Sequence, residues 1–140
     1  MTQSKWDQRY LDLAVHISKW SKDPRKKVGA IVTKGKYIVG IGYNGFPKGI
    51  ADTKARLADP KIKIPLVLHA ETNALTAAQG QGDTIYVNHL PCTACFGHII
   101  QHDIKKVLVI ERDYSKSKWN SDMVFDMAKE ANIQLKLIKL

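Results

Sequence analysis

The sequence predicts an α/β fold in which one mixed five-stranded sheet lies between two layers of helices. The chain has 140 residues, of which 44% are hydrophobic and 25% are charged, as expected for a single globular domain. Its first third has the pattern of a helix followed by a β-hairpin, and strands alternate with helices from residue 66 onwards. A hairpin is antiparallel, whereas alternation favours parallel strands joined by right-handed crossovers, so we expect a mixed sheet.

The first third of the chain contains one helix and two strands. Residues 6–20 carry apolar side chains at every third or fourth position, which predicts an amphipathic helix with its aromatic residues in the core. The helix is expected to stop before Pro24, because proline disfavours the helical conformation in the preceding residue. Residues 28–33 and 37–43 are rich in β-branched side chains and are separated by a short glycine-containing turn, so we expect a hairpin.

The middle of the chain is expected to be less regular. Residues 42–49, with the sequence GYNGFPKG, indicate a loop whose backbone can come close to a ligand. Residues 51–65 are lysine-rich and weakly patterned, so we expect a flexible surface insertion there. No internal repeat or linker is visible, and we interpret residues 1–140 as one domain.

The second half of the chain alternates helices with strands. The apolar spacing predicts helices over residues 68–79, 92–102 and 121–131. It predicts strands over residues 84–88, 106–110 and 134–138. Together with the hairpin, these make five strands.

Two short motifs flank the strand predicted over residues 84–88. The first contains His69 and Glu71, and the second contains Cys92 and Cys95. Two thiolates and one imidazole suit zinc, and three protein ligands leave a fourth position for water. Zinc makes bound water far more acidic, and a nearby carboxylate that is not a ligand can move its protons. We therefore expect a catalytic zinc held by His69, Cys92 and Cys95, with Glu71 as the proton carrier.

Both motifs are predicted to lie at helix N-termini. A helix N-terminus carries partial positive charge and favours thiolate over thiol, so Cys92 and Cys95 are expected to bind as anions. Residues three apart share a face in the first turn of a helix, and Pro91 suits the start of that helix. The H-x-E and P-C-x-x-C motifs together are the signature of zinc-dependent nucleobase deaminases.

Other interpretations of these residues are weaker. A redox C-x-x-C pair would need no upstream histidine and glutamate, and it would usually follow the first strand of a thioredoxin-like unit. A closed structural zinc site would need a fourth ligand, and no residue with a convincing spacing supplies one. His98 and His102 lie four residues apart on one predicted helix without an obvious thiol or carboxylate partner, so we interpret them as surface or interface residues.

The charge of the chain favours anionic partners. Lysine and arginine number 22 against 13 acidic residues, which gives a net charge of +9. The basic residues are scattered, so we favour a nucleotide over nucleic acid as the partner. The chain has two cysteines and no apolar stretch suited to a signal peptide or a membrane span. These features predict a cytoplasmic protein with no membrane partner.

Four segments of the chain resemble the deoxycytidylate deaminase family. They are SKDPRKKVGAIV, GIGYNGFPKG, HAETNAL and YVNHLPCTACFGHIIQHDIKKV. The first two segments distinguish this family from other zinc deaminases, because zinc deaminases in general have motifs similar to the last two. The resemblance implies the three-layer cytidine deaminase fold and a homo-oligomer that is often a hexamer. It also implies hydrolysis of dCMP to dUMP and ammonia, which supplies dUMP for thymidylate synthesis.

The resemblance also implies roles for residues around the zinc. Asn44 would contact the sugar hydroxyl, and Val28 would form an apolar wall against the base. The Ala70 N–H would meet the base carbonyl oxygen, and the Pro91 carbonyl would meet the displaced amino group. Tyr114 matches a tyrosine that recurs after the fourth strand in this family. The candidate phosphate donors, by motif position, are Arg25, Lys27, Arg112, Tyr114 and Lys116.

The resemblance has consequences for further ligands. Relatives often bind a second, structural zinc through cysteines and histidines in the insertion, but residues 51–65 contain neither residue type, so we expect one zinc per chain. Relatives are commonly activated by dCTP and inhibited by dTTP, with Mg²⁺, through loops that match SKDP and GYNG. These nucleotides and Mg²⁺ are therefore candidate effectors.

Three alternatives remain open at the level of the sequence. A 5-substituted dCMP could replace dCMP as the substrate, because one methyl or methylene group changes binding by only about 1–3 kcal/mol. A polynucleotide deaminase of the tRNA adenosine type would share the zinc motifs and suit the net charge of +9. A non-catalytic zinc-binding or nucleotide-sensing module would keep the fold without turnover.

Overall fold

Five strands form one mixed sheet in the computed structural model, which describes residues 4–140. β1 pairs antiparallel with both β2 and β3, whereas β3, β4 and β5 are parallel. The predicted mixed α/β fold is confirmed. In the sheet order β2-β1-β3-β4-β5, the strands are β1 (Gly29–Lys34), β2 (Tyr37–Tyr43), β3 (Thr84–Val87), β4 (Lys106–Ile110) and β5 (Gln134–Ile138).

Six α-helices lie within residues 4–140. α1 packs on one face of the sheet, and the longer helices of the second half pack on the other, which gives three layers. None of the described helices is long and apolar enough to cross a membrane. The helices are α1 (Lys5–Ser18), α2 (Lys54–Ala58), α3 (Pro60–Leu66), α4 (Ala70–Ala78), α5 (Thr93–Gln101) and α6 (Lys118–Glu130), and a 3₁₀ turn (Ser115–Ser117) precedes α6.

Each face of the sheet has its own apolar core, because neighbouring residues of a strand point to opposite faces. Ile31 and Leu108 belong to the core beneath α1. Val32 and Val107 belong to the larger core beneath α4, α5 and α6. Each of these side chains is fully buried, which stabilises the fold by about 1.5–3 kcal/mol per residue.

The first helix is shorter than predicted, and two aromatic residues expected in the core lie outside it. α1 ends at Ser18, two residues before the predicted end. Trp20 is 55% exposed, and its ring meets the ring of Tyr43 edge-on. Trp6, in the first turn of α1, is 37% exposed, whereas Tyr10 is buried as predicted. The predicted core positions of the two tryptophans were wrong. For Trp20 the reason is that helical spacing determines the direction of a side chain only while the helix continues.

The segment predicted as a weakly patterned insertion contains two short helices, α2 and α3. Thr53 caps α2 by accepting a hydrogen bond from the Arg56 N–H, and Asp59 caps α3 by accepting one from the Lys61 N–H. Helices of five and seven residues are too short to show a clear apolar period, so they could not be predicted from the sequence pattern. The predicted flexibility of residues 51–65 and the single domain over residues 1–140 stay predictions.

Candidate active site

The N-termini of α4 and α5 bring His69, Cys92 and Cys95 together. His69 is the N-cap of α4, Cys92 is the N-cap of α5, and Cys95 lies in the first turn of α5. The Nδ1 atom of His69 lies 3.1 Å from Cys95 Sγ and 3.6 Å from Cys92 Sγ. The three donor atoms lie within 4.8 Å of one another, so a single ion can contact all of them.

This group of donors fits a zinc ion. At usual zinc–sulfur and zinc–nitrogen lengths, two ligands in a tetrahedral site are roughly 3.5–3.8 Å apart, close to the nitrogen–sulfur distances here. Two sulfurs and one imidazole nitrogen also make the soft donor set that zinc accepts. Within residues 4–140, no other group of three histidine, cysteine or acidic side chains comes this close together.

The three side chains alter one another's protonation. Hydrogen bonds from Cys95 and then His69 lower the pKa of the Cys92 thiol to about 3. The hydrogen bond to Cys92, followed by burial, raises the pKa of Cys95. The hydrogen bond to Cys92 raises the pKa of His69. Negative charge therefore accumulates first on Cys92, where α5 begins, as expected for a thiol at a helix N-terminus.

Glu71 lies in the first turn of α4, beside the three donor atoms but not among them. Its side chain is 4% exposed and lines the same cavity as His69 and Cys92. Burial raises the pKa of this carboxyl, because loss of solvent disfavours its charged form. A raised pKa makes this carboxyl a better proton acceptor, which suits a group that carries a proton from water to a substrate.

α4 can reach this position because β2 presents glycine to it. A Cβ atom on Gly42 would overlap the carbonyl oxygen of Ala70, and one on Gly40 would overlap the carbonyl oxygen of Ala74. The helix therefore packs backbone to backbone on the strand. This close contact sets the distance between the start of α4 and the end of the sheet.

Two buried asparagines hold the segment that leads into β1. The Oδ1 atom of Asn44 accepts a hydrogen bond from the Val28 N–H at 2.9 Å. The Oδ1 atom of Asn88 accepts one from the Gly29 N–H at 3.0 Å. The amide nitrogens donate to the carbonyls of Lys26 and Lys27 respectively. These four bonds fix residues 26–29 beside the donor cluster.

A cavity of about 220 Å³ opens beside the three donor atoms. Asn44, Val28 and Ala70, all predicted as substrate-binding residues, line it together with Glu71. The remaining lining residues are Asp23, Lys26, Lys63, Val67, His69, His89, Leu90 and Cys92. The cavity thus combines a buried carboxyl, a candidate metal centre and cationic side chains.

The sequence family described as the cytidine and deoxycytidylate deaminase zinc-binding region matches residues 4–111, which include every residue of this cluster. The chain belongs to this family. The resemblance expected from the four sequence segments is therefore confirmed, and the chain is a deaminase-family protein with a zinc-binding region.

Individual relatives agree with this assignment. A deaminase of Aliivibrio fischeri from the luxG 3′ region is 37% identical, over 98% of this chain and 96% of that protein. The deoxycytidylate deaminase of Pongo abelii is 38% identical, over 89% of this chain and 76% of that protein. The crystal structure of the dCMP deaminase of cyanophage S-TIM5 in complex with dCMP and dUMP has a TM-score of 0.75 and 26% identity, over 98% of this chain and 100% of that one.

The predicted substrate-binding residues differ in whether their hydrogen-bonding groups are free to contact a ligand. The Asn44 side chain uses one acceptor and one donor position on the backbone, which leaves one of each for a ligand. The Ala70 N–H opens α4, where the first N–H groups have no partner within the helix. Pro91 is buried outside the cavity lining, and its carbonyl accepts a hydrogen bond from Asn120 Nδ2 at 3.4 Å.

Among the predicted phosphate donors, Lys27 does not line the cavity. Its ammonium donates to the carbonyl oxygen of Ser21 instead. The neighbouring Lys26 lines the cavity, on the same side as Val28. In an extended segment, residues two apart face the same side and adjacent residues face opposite sides. Since Val28 was predicted to face the base, this alternation could have indicated Lys26, and not Lys27, as the cation on the same side.

A second cavity, of about 400 Å³, adjoins the first and shares Lys26 and Cys92 with it. Tyr114 and Lys116 line this cavity, as does Asn120, which the sequence did not indicate. The Tyr114 hydroxyl donates to the Ile110 carbonyl at 2.6 Å, and its ring meets the His89 ring edge-on. Arg25 and Arg112 line neither cavity.

Proposed function

We propose that this protein hydrolyses dCMP to dUMP and ammonia. The observation that carries the proposal is the buried Glu71 carboxyl beside His69, Cys92 and Cys95, in a cavity with room for a pyrimidine ring. Relatives named deoxycytidylate deaminases, and a solved structure of one with dCMP and dUMP, support this substrate.

We infer that His69, Cys92 and Cys95 hold one zinc ion per chain. When bound, zinc supplies a Lewis acid that makes a water molecule acidic enough to act as a nucleophile near neutral pH. Glu71 accepts a proton as water adds at C4 of the ring, and passes it to the ring nitrogen N3. It then takes the proton of the new C4 hydroxyl and passes it to the amino group, so that the C4–N bond breaks, ammonia leaves and C4 keeps a carbonyl oxygen.

The surrounding groups orient the base and the sugar in this proposal. Val28 packs against the base, and the Ala70 N–H donates to its carbonyl oxygen. Pro91 lies between Leu90 and Cys92 of the cavity lining, and its carbonyl uses the acceptor position that Asn120 leaves open on the amino group that is displaced. Asn44 uses its remaining donor or acceptor position on the sugar hydroxyl.

Cations near the two cavities suit the phosphate. Lys26 borders both cavities, and Lys116 and Tyr114 border the second. We therefore propose Lys26, in place of Lys27, as the cation of residues 25–27 that faces the nucleotide. Lysine binds phosphate as a compact charge with three donors, so it needs no fixed approach direction.

A substrate panel tests the function. The zinc-loaded protein is incubated with dCMP, 5-methyl-dCMP, dAMP and an RNA hairpin, and ammonia release is measured for each. We expect turnover of dCMP. Turnover of the hairpin alone would favour a polynucleotide deaminase, and no turnover of any pyrimidine nucleotide would favour a zinc-binding or nucleotide-sensing module. Preference for the methylated nucleotide would identify a 5-substituted substrate.

Several properties implied by the family stay predictions. They are a homo-oligomer, with a hexamer as the expected form, regulation by dCTP and dTTP with Mg²⁺, and a cytoplasmic location. Repeating the dCMP assay with and without each nucleotide, and measuring the mass of the protein in solution, tests the first two.

A further inference from the structure

Lys63 lies in α3, within the lysine-rich segment of residues 51–65. Its side chain is 14% exposed, and its ammonium lies 3.2 Å from Asp23 Oδ2 and 3.3 Å from Asp23 Oδ1. Both residues line the cavity that Glu71, His69 and Cys92 also line. The two residues are 40 positions apart in the sequence, so this ion pair connects the segment to the candidate active site.

Asp23 is held in place from three directions. Its Oδ1 atom accepts backbone N–H bonds from Arg25 at 2.8 Å and from Lys26 at 3.1 Å, in addition to the contact with Lys63. Its side chain is 7% exposed. Burial raises the pKa of Asp23, but the two backbone hydrogen bonds and Lys63 outweigh this and hold the pKa below 3.8. Asp23 is therefore an anion at neutral pH.

Apart from Glu71 and the candidate zinc ligands, the cations that line the cavity outnumber the anions by one. Lys26 and Lys63 are cations, and Asp23 balances only one of them. His89 also lines the cavity, but burial lowers its pKa, so it is mainly neutral near pH 7. A lysine ammonium has three donors, and contact with one carboxylate does not occupy all three in this geometry.

We propose that Lys63 is a specificity-determining residue that recognises the phosphate of the nucleotide, and that Asp23 is the positioning residue that aims it. This proposal rests on the proposed function, because it concerns the same cavity and the same substrate. Asp23 restricts the ammonium to the cavity, so Lys63 donates to the phosphate without first losing the freedom of a flexible surface side chain. It also positions Lys26 through the backbone.

The proposal predicts a difference between nucleotide and nucleoside. Lys63→Met removes the cation and keeps most of the side-chain volume. We expect kcat/KM for dCMP to fall about tenfold to a hundredfold, mainly through KM, as for the loss of a charged hydrogen bond. Deoxycytidine lacks the phosphate, so its kcat/KM should change by less than about threefold. Lys63→Arg should retain most of the preference for dCMP.

The control is Lys61→Met, which removes an exposed cation two residues away on the same helix. This variant should have the wild-type kcat/KM for both dCMP and deoxycytidine. Asp23→Asn should also raise KM for dCMP more than for deoxycytidine, and the effects of Asp23→Asn and Lys63→Met should not add in the double variant. If deoxycytidine turnover is too slow to follow, inhibition constants of dUMP and deoxyuridine give the same comparison.

Equal losses for dCMP and deoxycytidine in Lys63→Met would show that Lys63 is structural and would overturn the proposal. The same conclusion follows if Lys61→Met weakens dCMP binding as much as Lys63→Met does, because the effect would then be general surface charge. A wild-type protein that turns over neither compound would contradict the proposed function itself, so the two failures are distinguishable.

Discussion

Gly42 of β2 lies against the carbonyl oxygen of Ala70, with no room for a side chain between strand and helix. Gly42→Ala must therefore push α4 away, because its neighbours are backbone atoms that cannot rotate aside. We expect a loss of about 1–3 kcal/mol in the free energy of unfolding, as for other overpacked sites. We also expect lower kcat, because His69 and Glu71 move with the start of α4.

Urea unfolding and dCMP turnover measure both effects. Gly97→Ala is the matched control, because Gly97 lies in α5 and a Cβ atom there meets nothing within 4 Å. That variant should be as stable as the wild type or slightly more stable, since alanine favours helix over glycine. If both variants unfold at the same urea concentration as the wild type, the close approach of α4 to β2 has no energetic consequence.

Glu71→Gln and Cys95→Ser should separate chemistry from metal binding. Glu71→Gln keeps the size of the side chain but cannot accept a proton, so activity should fall at least about a hundredfold while zinc content stays unchanged. Cys95→Ser removes one of the three ligands, so both zinc content and activity should fall. Elemental analysis of the purified proteins, with ammonia release, checks the pair. Zinc loss in Glu71→Gln would mean that Glu71 is a ligand and not the proton carrier.

Asn88 should matter for stability and for substrate binding. Asn88→Ala leaves the Gly29 N–H and the Lys27 carbonyl without their side-chain partner, at a cost of about 1–3 kcal/mol for each group that stays buried and unpaired. Asn88→Asp keeps the acceptor and loses the donor, so its loss should be intermediate. KM for dCMP should rise in the same order, because Lys26 and Val28 belong to the same segment. A larger loss in Asn88→Asp than in Asn88→Ala would contradict this ranking.

The Asp23–Lys63 pair should make stability depend on pH at the acid end. The folded-state pKa of Asp23 lies below its ordinary value of 3.8, so its contribution is fully present above that value and is lost as pH falls through the folded-state pKa. The difference in unfolding free energy between wild type and Asp23→Asn should therefore be constant near neutral pH and shrink below about pH 4.

Urea unfolding at a series of pH values measures this dependence. Lys63→Met should make the unfolding free energy depend less on pH in the acid range, because removing the cation raises the pKa of Asp23 towards its ordinary value. A difference between wild type and Asp23→Asn that grows on acidification would contradict the depressed pKa.

Features with a local pattern could be predicted from the sequence, as the strands and the zinc motifs show. β1 to β4 each contain a short run rich in β-branched residues, and β5 alternates polar residues with leucine. The three donors are carried by two compact motifs whose spacing reflects helix starts. α2 and α3 could not be predicted, because each is shorter than two apolar periods. The exposure of Trp20 was missed because the helical pattern continues in the sequence past the point where α1 ends.

The parts of the candidate site that were missed depend on contacts between distant segments. Asp23 and Lys63 are 40 positions apart and meet only in the folded structure. Asn120 is held beside the second cavity because its Oδ1 atom accepts a hydrogen bond from the Thr93 N–H at 3.0 Å. Lys26 is the exception, because the alternation of an extended segment already assigns it to the same side as Val28.

The antiparallel pairing of β1 with β3 places the candidate active site and the β1–β2 turn at opposite ends of the sheet. The start of β1 and the end of β3 share one end, where Ala30 is opposite Val87 and all the proposed chemistry is concentrated. The turn around Gly35 lies at the other end, beside the start of β3. Extra residues or a fused peptide at that turn would lengthen the molecule away from the nucleotide, so this end offers a place for engineering that leaves the reaction untouched.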